Sequence, residues 1–95
     1  MGEVQTHAET EAKQEVRQLP LYRVILHNDD VNSFEHVILT ILKLTPLREP
    51  EAFQRTREAH ETGSSLLLLT NRERAELYVE QFATFKLTVT CQPVG

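Results

Sequence analysis

Three consecutive polar residues, Asn28, Asp29 and Asp30, carry the side chains best suited to binding chemistry, and we call them the acceptor cluster. An ionised carboxylate only accepts hydrogen bonds and an amide adds an accepting carbonyl, so the cluster suits a ligand that donates hydrogen bonds and is positively charged. The same oxygens are also typical of a turn, where they accept from nearby backbone N–H groups. Taken alone, the spacing favours the turn and leaves a binding site open.

His60 is the residue that would complete such a site. At helical spacing it shares a face with Phe53 and Thr56, which predicts that its side chain points towards the core and not into solvent. A lone histidine there is typically a satisfied core residue. At the inner end of its helix it would instead meet the acceptor cluster, and imidazole, amide and carboxylate acceptors together would suit an ammonium group, which has three donors.

The spacing of the potential ligands argues against a metal site. Residues 30–32 begin like a calcium loop, but Glu35 takes the sixth position, where glycine is required, and Ile41 takes the twelfth, where an acidic ligand is required. The histidines show no zinc-binding spacing, and Cys91 is the single cysteine. No nucleophile elbow or glycine-rich phosphate loop is present. We therefore predict no metal, no cofactor and no catalytic residue.

Length and charge narrow the class of protein. With 95 residues the sequence predicts one small domain, residues 20–95, preceded by a flexible N-terminal extension, residues 1–19. The net charge of -4 argues against a nucleic-acid partner, because phosphates need a basic surface. No apolar run approaches the roughly 18 residues of a membrane span, and no signal peptide is recognisable. A single cysteine fits a reducing cytoplasm.

The apolar patterning predicts three strands. Residues 21–26 are apolar and β-branched, which predicts a strand buried on both faces or nearly so. Residues 66–69 are four leucines, too short a run for a helix, and predict a second buried strand. Residues 87–91 alternate between apolar residues and threonines, the period of a half-buried strand.

Between these strands the sequence predicts three helices. Ser33 is a candidate N-cap of the first, and Pro46 and Pro50 are expected to end it and open a loop. The second helix is predicted over about 51–61 and the third over 72 to about 85. The predicted fold is therefore α+β, in the order β-α-α-β-α-β, with three helices packed on a three-stranded antiparallel sheet.

With these features in place, the sequence resembles the ClpS family, adaptors that hand substrates to the AAA+ unfoldase of the Clp protease. The resemblance covers roughly residues 21–93. It rests on the strand that ends in Asn28-Asp29-Asp30, on Phe34-Glu35-His36-Val37, which is similar to the family's Met-Glu-Phe-Val, and on Ala59-His60 followed by Gly63, which is similar to its Val-His-x-x-Gly.

The resemblance implies an adaptor for N-degrons, which binds a free N-terminal residue, usually Leu, Phe, Tyr or Trp. In that reading Asn28, Asp29 and His60 hold the α-amino group, with Asp30 supporting the rim. The side-chain pocket implied by position would be lined by residues that could equally be ordinary core, namely Leu26, Phe34, Val37, Thr56, Ala59 and Leu87. The implied partners are substrate N-termini and the N-terminal domain of a ClpA-like unfoldase, bound by a monomer in a bacterial cytoplasm, with an organellar stroma as the alternative.

Two positions depart from the family pattern. Phe34 and Thr56 stand where the family commonly has flexible methionines, and the segment before the last strand is shorter than usual. One alternative is thus a ClpS-like binder with a retuned pocket that prefers aliphatic N-terminal residues. An alternative of another class is a small metal-dependent hydrolase that uses Asp29, Asp30 and His60 as ligands.

Overall fold

A computed structural model describes residues 20–95, so the predicted N-terminal extension lies outside the described residues. The described chain forms six elements in the predicted order β-α-α-β-α-β: β1 Leu21–His27, α1 Phe34–Leu44, α2 Glu49–Thr62, β2 Ser64–Asn71, α3 Arg72–Thr84 and β3 Val89–Pro93. The predicted fold class, three helices and a three-stranded antiparallel sheet, is confirmed.

The first strand is the centre of the sheet, because β1 pairs antiparallel with both β2 and β3. At its end, Leu26 lies opposite Ser65 on β2 and Val89 on β3. All three of these residues are buried and form part of the layer under the helices. The acceptor cluster follows directly, so it is attached to the central strand, which is hydrogen-bonded to a neighbour on each side.

The sheet is covered on one face only, and the prediction that β1 is buried on both faces is wrong. Val24 and Leu26 are buried, whereas Arg23, Ile25 and His27 are only partly covered. The described helices all pack on one side, and the alternation of side chains along a strand turns every second residue to the other. The continuous apolar run concealed this alternation.

The prediction of a buried strand at the four leucines is wrong for the same reason. Leu67 is 3% exposed, but Leu66 and Leu69 are 37% and 49% exposed. The register of β2 against β1 shifts between Val24 and Ile25, which leaves Leu67 as an extra residue in the ladder. The strand lies at an edge of the sheet, as the order β2-β1-β3 shows, and it presents Leu66 and Leu69 to solvent on its open face.

Local capping signals set most helix ends. The Ser33 hydroxyl accepts from the His36 N–H (3.1 Å), which confirms Ser33 as the N-cap of α1. The second helix starts at Glu49, earlier than predicted, and Pro50 lies in its first turn and not in the loop. A proline is tolerated there because the first N–H groups of a helix have no intrahelical partner. The last strand starts at Val89, two residues later than predicted.

Candidate functional site

A small cavity lies where the end of β1, the start of α1 and the second half of α2 meet. It holds about 30 Å³ and is lined by Leu26, His27, Asn28, Asp29, Asn32, Phe34, Val37, Thr56, Ala59 and His60. Eight of the ten residues that we predicted from sequence therefore share one cavity. Asp30 and Leu87 are not in its lining, and His27 and Asn32 line it without having been predicted.

A backbone hydrogen bond brings the two halves of the site together. Asn28 N–H donates to Gly63 O (3.0 Å), which joins the acceptor cluster to the end of α2. Gly63 ends that helix in the left-handed region with φ 101°, and its own N–H donates to Ala59 O (2.8 Å). Ala59 and His60 are thus held beside Asn28 by the way the helix ends.

Asp29 is already engaged by its own loop. One carboxylate oxygen accepts from the backbone N–H groups of Val31 (2.9 Å) and Asn32 (2.7 Å), and the other accepts from Asn32 Nδ2 (3.0 Å). Burial by itself would raise the pKa of Asp29, but these hydrogen bonds outweigh it and hold the pKa below the usual value of 3.8. The turn interpretation therefore holds for Asp29, which also brings a negative charge to the cavity wall.

His60 is exposed, so the prediction that it points towards the core is wrong. The buried face of α2 is formed by Ala52, Thr56 and Ala59, and Phe53 and His60 lie beside it. Successive helical residues are about 100° apart, so His60 follows Ala59 out of the core and onto the rim of the cavity.

Phe34 lies at the mouth of the cavity against His60. The two ring centroids are 5.1 Å apart with an angle of 78° between the rings, an edge-to-face contact. A volume of about 30 Å³ accommodates one or two water molecules and not a leucine or phenylalanine side chain. A bulky group can therefore enter only when the lining of the cavity rearranges.

Thr56 introduces no free hydroxyl into the cavity. Its Oγ1 donates to Ala52 O (2.8 Å) within α2, and the residue is 4% exposed. The Thr56 hydroxyl thus has a partner, so the effect of threonine in place of the family's methionine is a smaller side chain.

Two properties of the part of the chain that the structure describes bear on other classes of function. Within residues 20–95, no three His, Cys, Asp or Glu side chains are grouped so that they could hold a metal ion. Over the same range, no helix has the length and apolar character needed to cross a membrane.

Comparison with known proteins gives a consistent result. The family model described as "ATP-dependent Clp protease adaptor protein ClpS" matches residues 17–90. The chain is 37% identical over 86 residues to the ClpS adapter of Synechococcus elongatus, covering 90% of this chain and 88% of that protein. It is 38% identical over 77 residues to the chloroplastic adapter CLPS1 of Chlamydomonas reinhardtii, covering 80% of this chain and 48% of that protein.

A solved structure is similar over the whole described domain. Agrobacterium tumefaciens ClpS2, bound to L-phenylalaninamide, superimposes with a TM-score of 0.73 at 26% identity, covering 81% of this chain and 100% of that chain.

Proposed function

Because the chain belongs to the ClpS family of ATP-dependent Clp protease adaptors, we propose that it is an N-degron adaptor, which binds proteins by a free N-terminal Leu, Phe, Tyr or Trp and delivers them for proteolysis. The observation that carries the proposal is the shared cavity, in which Asn28, Asp29 and His60 stand around an apolar interior. One end suits a charged amine and the other suits a hydrocarbon side chain. The protein itself performs no catalysis.

The polar end receives the α-amino group. An α-amino group has a pKa of about 7.7–8.0, so it is mostly charged at neutral pH and donates three hydrogen bonds. The side-chain carbonyl of Asn28 and an imidazole nitrogen of His60 serve as acceptors. The Asp29 carboxylate supplies opposite charge while it holds the loop. Asp30, exposed on the same loop, adds negative charge at the rim.

The apolar end receives the side chain of the first residue. Leu26, Thr56 and Ala59 are buried and form the interior together with Val37, while Phe34 forms the gate. Leu87, also buried, belongs to the packing behind this surface. Burying a leucine or phenylalanine side chain contributes about 1.5–3 kcal/mol, enough to offset displacement of the Phe34 ring.

The ligand of the structural neighbour has the same two groups. L-Phenylalaninamide, bound to A. tumefaciens ClpS2, carries a free α-amino group and a benzyl side chain. We propose the same ligand chemistry here, with a ClpA-like unfoldase as the second partner, contacted through its N-terminal domain by a monomeric adaptor in a bacterial cytoplasm.

Peptide binding tests the proposal. A fluorescent peptide that begins with a free Phe or Leu is titrated with the protein, and its N-acetylated form is titrated in parallel by anisotropy. Acetylation should weaken binding at least tenfold, because the bound peptide would cover acceptors that an acetylated end leaves unpaired, at a cost of about 1–3 kcal/mol for each. Equal affinity for the two forms would contradict an α-amino site. Binding that survives a chelator would exclude the metal-dependent hydrolase.

The retuned pocket remains the second candidate, and the small cavity beneath Phe34 favours it. A stiff aromatic gate leaves less room for a planar ring than for a branched aliphatic side chain. An array of peptides that differ only in the first residue separates the two candidates, since a retuned pocket would rank Leu above Phe, Tyr and Trp.

A further inference from the structure

The side chains of Asn32 and His36, which follow the acceptor cluster, hydrogen-bond to the same distant turn. The turn joins α3 to β3 through residues 85–88. Asn32 Nδ2 donates to Lys86 O (2.8 Å), and His36 Nε2 lies 2.8 Å from Phe85 O. A carbonyl oxygen only accepts, so His36 Nε2 carries its proton. The β1–α1 loop is therefore tied to two successive carbonyls of one turn.

Asn32 connects that turn to the acceptor cluster. Its side-chain amide donates to Lys86 O and to Asp29 Oδ2 (3.0 Å), and its backbone N–H donates to Asp29 Oδ1 (2.7 Å). An asparagine amide has two hydrogens, and here one is given to each neighbour. The Asn32 side chain thus links Asp29, which the backbone N–H groups of its own loop also hold, to the α3–β3 turn.

The turn is itself fixed to the hydrophobic core. Leu87 N–H and Phe85 N–H both donate to Phe82 O, at 3.1 and 3.0 Å, and the Phe82 side chain is fully buried. Lys86 adopts φ 65°, the left-handed region that a residue with a side chain rarely enters, and its carbonyl is aimed at Asn32 as a result. A rigid path of hydrogen bonds runs from the core to Asp29.

We propose that Asn32 is a positioning residue for recognition of the N-terminal amine. Its side-chain amide joins the acceptor cluster to the α3–β3 turn, and we call this link the clamp. His36 adds a second hydrogen bond to the same turn. The inference rests on the proposed function, since it concerns the same amino-group site. Asn32 need not touch the ligand. It sets the position of Asp29, and through the loop the direction in which the acceptors point.

The test compares two ligands that share a side chain. One is a Phe-initiated peptide, and the other is the same peptide with 3-phenylpropionyl as its first group, which keeps the benzyl group and lacks the amine. Asn32→Ala should weaken binding of the Phe peptide about tenfold, the equivalent of one hydrogen bond to a charged group. Its affinity for the amine-free peptide should be unchanged. In this variant the backbone amide protons at positions 31 and 32, both bonded to Asp29 in the parent, should also lose protection from hydrogen exchange.

Two variants control for general damage to the turn. Thr84→Ala removes a side-chain hydrogen bond to Gln81 O (2.6 Å) at the same end of α3 and does not involve the acceptor cluster, so it should bind the Phe peptide like the parent. Lys86→Gly keeps the carbonyl and removes the strained side-chain conformation, so it should bind at least as tightly.

The outcomes separate the clamp from the proposed function. Parent-like binding of the Phe peptide by Asn32→Ala, or an equal loss for both peptides, would overturn the clamp. Equal binding of both peptides by the parent would overturn the amino-group site itself. If Asn32→Ala does not fold, His36→Phe is the variant to measure, because it keeps an aromatic ring but cannot donate to Phe85 O. It should weaken binding of the Phe peptide about threefold and leave binding of the amine-free peptide unchanged. No change in that variant would reject the clamp.

Discussion

Phe34 and His60 form the contact that a ligand of the proposed site would have to displace. Their edge-to-face geometry at 5.1 Å is of the kind that contributes about 0.5–1.5 kcal/mol beyond simple burial. His60 is also one of the proposed acceptors for the amine, so the closed contact competes with both parts of the ligand. The residue at position 34 thereby affects affinity and specificity together.

Replacing Phe34 by methionine should open the site. A flexible thioether can leave the mouth of the cavity at less cost than a ring held against His60. We expect Phe34→Met to bind Phe- and Trp-initiated peptides about two- to tenfold more tightly, which corresponds to the lost ring contact. The change is measured by anisotropy across the first-residue array.

Phe53→Met is the matched control for this variant. Phe53 is 48% exposed on α2 and is not in the lining of the cavity, so the same exchange there should leave the array unchanged. If both variants shift the ranking alike, the effect does not arise from the gate.

The lowered pKa of Asp29 predicts how the loop responds to acid. A carboxyl group whose pKa is depressed by folding stabilises the native state above its unfolded pKa, and that stabilisation is lost as the pH falls through the folded value. The stability difference between the parent and Asp29→Asn should therefore be full at neutral pH and shrink below about pH 4. Thermal unfolding at several pH values measures it.

Asp30→Asn is the control for Asp29→Asn, because Asp30 lies exposed on the same loop. Its stability difference from the parent should be smaller at neutral pH. A difference for Asp29→Asn that stayed constant down to about pH 2 would show that the charge of Asp29 does not stabilise the fold.

At the scale of elements, the junction between α2 and β2 holds the site together. Gly63 takes φ 101°, and its carbonyl accepts from Asn28 N–H, so one residue both ends the helix and fixes the acceptor cluster. A Cβ atom at Gly63 would meet nothing within 4 Å, so the only obstacle to a side chain there is the backbone conformation.

Gly63→Ala should destabilise the domain by about 1–2 kcal/mol, the cost of the left-handed conformation for a residue with a side chain. Urea unfolding measures the change. Gly95 also has a positive φ (90°) but lies outside the helices and strands, so Gly95→Ala should change the stability little. Equal stability of the two variants would mean that the junction relaxes to another conformation.

At the scale of the molecule, the domain has two layers, with the helices on one face of the sheet and solvent on the other. Leu67 and Leu69 stand two residues apart on β2, and they are 3% and 49% exposed. Two leucines of one strand should therefore differ in how much each contributes to the stability of the domain.

Truncation of each leucine measures this asymmetry. Leu67→Ala should cost about 2–5 kcal/mol in the free energy of unfolding, because it removes buried packing. Leu69→Ala should change it by no more than about 0.5 kcal/mol. Urea unfolding compares the two variants. If Leu67→Ala is already unfolded without urea while Leu69→Ala is folded, Leu67 is still shown to contribute more to stability. Comparable losses would indicate that the open face is covered in solution.

The amino-acid sequence was sufficient to predict the helices and strands and the chemical types of the candidate site residues. Ser33 and Gly63 act on their own helices through hydrogen bonds within a few residues, and apolar periodicity over a turn or two predicts α1 and α3, so local rules were sufficient. The resemblance added the pairing of the acceptor cluster with His60, and the shared cavity agrees with that pairing.

Which faces are buried, and which group each polar side chain contacts, could be read only from the folded chain. A continuous leucine run has no alternation, so the sequence could not show that β2 exposes one face. The bond from Asn32 to Lys86 O joins residues 54 positions apart and leaves no local pattern. The outward position of His60 depends on where the helix meets the sheet edge. Its contact with Phe34 joins two side chains that meet only in the folded chain. Local rules choose the elements, whereas contacts between distant residues fix the site.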